Sequence, residues 1–99
     1  MKIAVGCDEA AYNLKVQIIK HLESKGFEVD DFGAKENDVI LYPDVAYEVA
    51  RAVADGKYER AILFCGTGIG MSICANKVPG ARAGLIHDHY SAHQYARRV

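Results

Sequence analysis

The chain has no long apolar run, no basic stretch and no paired-cysteine motif, and each absence removes a class of function. No segment approaches the ~20 apolar residues that a bilayer-spanning helix needs, and Met1-Lys2 leads straight into Ile3-Ala4-Val5 without the apolar core of a secretory leader. The expectation is a cytoplasmic protein that does not enter membranes. A formal net charge of -1 gives no electrostatic reason to expect nucleic acid or an anionic surface as partner. Cys7, Cys65 and Cys74 lie at or near the ends of apolar segments instead of in CxxC pairs, which suits reduced thiols better than a disulfide framework or a zinc knuckle. Repeats and low-complexity tracts are also missing. What is there, 99 residues with 51% apolar and 25% charged content, makes one globular domain over residues 1–99 and leaves no room for a second.

Short apolar strands alternate with helical patterns along the chain. Residues 2–6 form a β-branched run ending at Cys7-Asp8-Glu9, and residues 10–25 carry Leu14, Ile18, Ile19 and Leu22 at helical spacing before Gly26 stops them. Residues 27–32 alternate as an edge strand would, and residues 33–43 read as a polar loop. Asp44 is placed to cap a helix running to about Asp55, with Val45, Val49 and Val53 stacked at four-residue intervals. The run Ala61-Ile62-Leu63-Phe64 is too short for a buried helix and reads as an interior parallel strand. A helix over residues 69–77, a fourth strand over residues 81–86 and a last helix capped by Ser91 complete a βαβαβαβα order. That order predicts an α/β fold: a parallel sheet with helices on both faces and ligands bound where the winding direction reverses. With strand order 2-1-3-4, Cys7-Asp8-Glu9 and Cys65-Gly66-Thr67 face each other there. The fourth strand would then be an apolar, unpaired edge that needs covering.

The third strand breaks into Cys65-Gly66-Thr67-Gly68-Ile69-Gly70-Met71-Ser72. Three glycines permit positive φ and a close ligand approach, so a thiol, a hydroxyl and N–H groups at a helix start converge. Three familiar templates fit poorly. A Walker loop needs Lys-Ser/Thr after its last glycine, and a Cys-x5-Arg phosphatase needs arginine where Met71 stands. A dinucleotide fingerprint starting at Gly66 would need its third glycine at that same position.

The turn, followed by Ala75-Asn76-Lys77-Val78-Pro79-Gly80-Ala81-Arg82-Ala83, resembles the type B ribose-5-phosphate isomerases and the related galactose-6-phosphate isomerase subunits. Gly6-Cys7-Asp8, Leu14-Lys15, Asp31-Phe32-Gly33, Tyr42-Pro43-Asp44 and Tyr90-Ser91-Ala92 extend the similarity over the whole chain. The resemblance implies a three-layer Rossmann-like sheet in flavodoxin-like order 2-1-3-4-5, of which four strands fall in this chain. It implies a homodimer or a dimer of dimers with the site at the subunit interface, and no metal or organic cofactor. Cys65 would be the base of an aldose–ketose isomerisation of a small phosphorylated sugar, from tetrose to hexose phosphate. Thr67 would move protons on the oxygens, and Gly66, Gly68, Ile69, Gly70 and Ser72 would hold the enediolate and the substrate. The family's fifth strand, C-terminal helix and phosphate-binding arginines have no counterpart here.

Several positions depart from the family pattern. Glu9 stands where a histidine usually follows the aspartate, and it either binds sugar hydroxyls, acts as an acid or base, or lies outside the pocket; Leu41 replaces an acid before Tyr42-Pro43, and Arg98 aligns with the family's ring-opening histidine. Arginine is a poor proton donor but a good phosphate clamp, which points to a sugar phosphate too short to close a ring. Asp8 either faces the sugar or caps the helix after it; Tyr42 either lines the pocket or anchors a loop. His87-Asp88-His89 with His93 lacks the further ligands of a metal site and reads as solvated side chains. A non-catalytic module holding a phosphorylated sugar or nucleotide on the same turn is the alternative reading.

Overall fold

A computed structural model describes residues 1–35 and 42–98, the side chains of Tyr42 and Arg98 excepted. Most of the loop expected over residues 33–43 therefore lies outside the described residues. The elements are β1 (Lys2–Cys7), a short 3-10 helix (Glu9–Ala11), α1 (Tyr12–Ser24), β2 (Glu28–Asp31), α2 (Tyr42–Ala54), β3 (Arg60–Phe64), α3 (Ile69–Asn76) and α4 (His89–Arg98).

β1 is the middle strand of a parallel sheet ordered β2-β1-β3, with Ile3 opposite both Val29 and Arg60. Its position explains its sequence. A central parallel strand is covered on both faces, and Ile3, Ala4, Val5 and Cys7 are all buried. Because side chains alternate across a strand, Ala4 shares one face with Gly6, where Val45, Ala46 and Val49 of α2 and Met71 of α3 pack. Cys7 turns to the other face and meets Ala11, Ala34, Tyr12 and Phe64. The result is a three-layer α/β domain, α1 over one face of the sheet and α2 with α3 over the other. The size of residue 6 sets how closely α2 approaches. A Cβ on Gly6 would lie 2.6 Å from Val45 Cγ1.

Four local expectations are corrected. First, residues 81–87 form no ladder with β3, so the described sheet has three strands and β3, expected in the interior, has an unpaired edge among the described residues. The backbone groups a fourth strand would have spent on pairing are taken by side chains. Asn76 accepts from Ala83 N and donates to Ala83 O, both at 2.8 Å, and Tyr95 donates its hydroxyl to Arg82 O at 2.7 Å. Second, α2 starts at Tyr42, which places Asp44 inside its first turn instead of at its cap. Third, Asp88 rather than Ser91 caps α4: its Oδ1 accepts from Ser91 N at 2.7 Å, and Ser91 Oγ accepts in return from Asp88 N at 3.3 Å. That reciprocal pair is a capping box, and the Ser91 amide bond is the main cause that holds Asp88 below the usual carboxylate range. Fourth, the buried stripe of α1 begins one residue later than expected, at Lys15 instead of Leu14, and continues through Ile18, Ile19 and Leu22, all half-buried. Leu14 is half exposed, and the one fully buried side chain of the helix is Lys15.

Candidate active site

β1 and β3 pair with Cys7 opposite Phe64, so the residues that follow them emerge together at the carboxyl end of the sheet. Asp8 N donates to Phe64 O at 3.2 Å, which continues the pairing one residue beyond the ladder. A cavity of about 310 Å³ opens there, lined by Asp8, Cys65, Gly66, Thr67 and Gly70. Of the two polar clusters remote in sequence, Asp8 of the first and Cys65-Gly66-Thr67 of the second are thus brought to one pocket.

Within the turn only Gly68 has positive φ (81°); Gly66 and Gly70 do not, contrary to expectation. That single left-handed residue precedes α3 and folds the chain back over Cys65. Gly68 N donates to Cys65 Sγ at 2.9 Å, and Ile69 N donates to Thr67 Oγ1 at 3.2 Å. Two of the N–H groups at the helix start are therefore spent inside the turn, one of them orienting the thiol. Gly66 needs no special φ but stands in open space on the cavity wall, with nothing within 4 Å of an added Cβ. A side chain there would intrude only on a ligand.

Asp8 caps the 3-10 helix after it and also stands on the cavity wall; its Oδ1 accepts from Ala11 N at 3.1 Å. Glu9 is exposed in that same helix and is not among the lining residues. Ile69 and Ser72 lie on the first turn of α3 behind the wall, Ile69 exposed and Ser72 half-buried. The side chains of Tyr42 and Arg98 fall outside the described ones. Cys7 is a poor candidate for chemistry: it is fully buried, and burial pushes its thiol up against the opposing pull of Lys15. Among the described residues no three His, Cys, Asp or Glu side chains converge as a metal site would require.

A second depression, about 390 Å³, is lined by Phe32, Tyr58 and residues of α2 and shares nothing with the turn. Its larger volume does not make it the better site. Arg51 in its wall is already engaged by Asp55 and Tyr47, and the Tyr58 hydroxyl is donated to Asp30.

The residue that the sequence reading passed over is Lys15. Its Nζ donates to Asp31 Oδ1 at 2.7 Å and to Ala34 O at 2.6 Å, and lies 5.3 Å from the centre of the Tyr12 ring. The available signal was its place three residues before Ile18 and four before Ile19, on the buried stripe of α1.

Fold and site together define a Rossmann-like α/β domain with a thiol-bearing, glycine-walled pocket at the carboxyl ends of its strands. The chain belongs to the Ribose/Galactose Isomerase family, whose model matches residues 3–98. A ribose-5-P isomerase B of Listeria innocua is 55% identical over 92 residues, covering 93% of this chain and 62% of that protein. A D-erythrulose-4-phosphate isomerase of Pectobacterium atrosepticum is 52% identical over 101 residues, covering 99% and 64%. The solved ribose-5-phosphate isomerase B of Clostridium thermocellum superposes with a TM-score of 0.89 at 49% identity, covering 93% of this chain and 62% of that one. The chain thus spans a little under two thirds of the length of these relatives.

Proposed function

We propose that the protein is an aldose–ketose isomerase acting on a small phosphorylated sugar, with Cys65 as the base. The observation that carries this reading is the thiol itself: Cys65 Sγ is half-buried on the cavity wall, held by the Gly68 amide, in the same pocket as Asp8. Cys65 in its thiolate form removes the proton from the carbon next to the carbonyl. The electron pair left behind forms the carbon–carbon double bond, and the carbonyl oxygen takes up the negative charge of an enediolate. The N–H groups of Gly66 and Gly70, both on the cavity wall, are the donors for that oxygen in this reading, where such donors are worth most. The thiol returns the proton to the neighbouring carbon, Thr67 exchanges protons between the two oxygens, and Asp8 accepts from the sugar hydroxyls. No oxidant, reductant or cofactor enters the balance.

The substrate is a tetrose or pentose phosphate. Relatives named for both sizes match nearly the whole chain, and the shorter is favoured by Arg98 at the position where a ring-opening histidine would otherwise act. The phosphate is held by cations outside the pocket, from Arg97 and Arg98 or a neighbouring subunit. Ile69, Ile73, Leu85 and Ile86 are exposed apolar side chains on α3 and on the segment that follows it. Together with the unpaired edge of β3, they support assembly of a cytoplasmic homodimer with sites near the interface.

The test is solvent-deuterium exchange into erythrose, erythrulose, ribose and ribulose phosphates, with wild type and Cys65→Ser. Exchange at the carbon next to the carbonyl, lost in Cys65→Ser at unchanged melting temperature, is the expected result. Binding without exchange would leave the turn a phosphosugar-holding module and overturn the assignment of Cys65.

A further inference from the structure

A lysine with no solvent exposure, on a helix that buries no other side chain fully, calls for a reason. Removing an ammonium from water is costly, and an apolar side chain of similar length would fill the space without that cost. The cost is met here by close pairing. Two N–H groups donate to Asp31 Oδ1 and Ala34 O, and the Tyr12 ring centre lies 5.3 Å from Nζ. Asp31 Oδ1 also accepts from Gly33 N at 2.8 Å, so one carboxylate oxygen joins the lysine to the turn that ends β2.

The partners lead to the pocket by a closed path. Ala34, whose carbonyl Lys15 holds, donates its N–H to Cys7 O at 2.9 Å, and Cys7 N donates to Gly33 O at 2.7 Å. Both backbone groups of Cys7 are therefore fixed by the segment that Lys15 anchors. Asp8 is the next residue. From the other side, Asp8 caps the 3-10 helix through Ala11 N, and that helix runs directly into α1, which carries Lys15 in its first turn. Lys15, Ala34, Cys7, Asp8 and Ala11 form a ring closed by three hydrogen bonds and the chain itself, and only Asp8 in it lines the cavity.

We propose that Lys15 is a positioning residue for the sugar site, acting through Asp8: its buried ammonium locks the 33–34 segment against the end of β1 and so fixes where the Asp8 carboxylate meets the substrate. This rests on the isomerase reading and adds to it a residue that touches no substrate.

The experiment is a double-mutant cycle in the full chain, Lys15→Met and Asp8→Ala singly and together, read as kcat, KM and sugar-phosphate affinity by calorimetry. With Asp8 present, Lys15→Met should lower kcat/KM by about 10- to 100-fold, the range expected for a reacting group displaced by about 1 Å. In the Asp8→Ala background the same substitution should cost no more than about 3-fold, because the group it positions is gone. A merely structural lysine would lower both backgrounds by the same factor, and equal losses overturn the proposal. If Lys15→Met does not fold at the assay temperature, Asp31→Ala removes one anchor at a site whose side chain is 43% exposed and enters the same cycle. Binding without turnover by wild type refutes the isomerase assignment alone, since the affinity cycle still reads the coupling. Turnover with additive losses refutes the role of Lys15 alone. Neither binding nor turnover refutes both.

Discussion

Replacing Gly68 with alanine meets two obstacles that replacing Gly66 does not. The φ of Gly68 is +81°, a conformation that costs an L-residue roughly 1–2 kcal/mol. The new Cβ would also lie 2.7 Å from Leu85 Cδ1, too close to stand. Leu85 is 41% exposed and can swing away, so this second cost is the loss of its contact, about 0.5 kcal/mol, and not a full core clash. The sum for Gly68→Ala is about 2 kcal/mol, which in a domain of this size lowers Tm by roughly 8–16 °C. Gly66→Ala meets open space at an unstrained φ, and the smaller entropy of its unfolded chain predicts a change between zero and a gain of about 1 kcal/mol. The two variants should therefore part in opposite senses. Gly66→Ala should melt at or above wild type yet lose turnover, because its methyl group stands where the substrate must approach the backbone. Gly68→Ala should lose stability and turnover together, since the amide that orients Cys65 moves with the strained residue. Differential scanning calorimetry beside an isomerase assay reads both. A Gly66→Ala protein less stable than Gly68→Ala would refute the turn geometry, and full activity in Gly66→Ala would refute the close approach.

Gly6→Ala should cost about 2–3 kcal/mol in urea titrations, because Val45 is β-branched on a helix and cannot turn away from a Cβ at 2.6 Å. Adding Val45→Ala should recover most of that loss, and a Gly6→Ala protein with wild-type stability would show that α2 sits farther from the sheet. Tyr58 donates its hydroxyl to Asp30, and that bond is the main cause both of the depressed Asp30 pKa and of the raised Tyr58 pKa. A depressed carboxylate contributes stability above its unfolded value of 3.8 that is lost as pH falls through the folded value; a raised phenol contributes below its unfolded value of 10.0 and loses it as pH rises through the folded one. Tyr58→Phe should thus lower stability at neutral pH and flatten its decline at both extremes, and pH-dependent melts that overlay wild type would refute the pairing.

Burial at regular intervals is what the sequence announces, and the parts of the fold built that way were legible in it. β1 is apolar because α2 and α3 cover one of its faces and α1 the other, and Val45 and Val49 share a stripe because they rest on Gly6. The glycines and the strand ends in the sequence already bring Cys65 and Asp8 together, and one cavity holds both. What was not legible depends on polar groups in roles their composition disguises. Lysine reads as surface, so Leu14 stands out as the first apolar position of α1 although Lys15 is the buried one. A cap can come from Asp88 or from Ser91, since each is a good acceptor and the two bond reciprocally. Whether a glycine uses its freedom in φ or only its lack of a side chain is likewise not written in its identity, and Gly66 and Gly68 differ in that respect.

The misread fourth strand follows from the same disguise, and Asn76 tests the explanation. Residues 81–86 are apolar enough to suggest a ladder, but the Asn76 amide presents one donor and one acceptor to Ala83 as a strand neighbour would. The same Nδ2 also donates to Ser72 O at 3.0 Å, which locks the amide to its own helix. Asn76→Ala removes these bonds at an exposed site, where each is worth about 0.5–1 kcal/mol, for a total near 2 kcal/mol. Asn76→Asp keeps the acceptor for Ala83 N but loses both donations and puts a negative charge at the carboxyl end of α3, where the helix dipole opposes it. It should therefore be no better than alanine, although it is nearly isosteric. The local readout is amide hydrogen exchange. Ala83 N–H should lose its protection in Asn76→Ala, and Leu85, two residues on and in contact range of Gly68, should loosen with it. Unchanged protection at Ala83 would mean that residues 81–87 are held by strand pairing after all, and the side-chain account of this segment would fail.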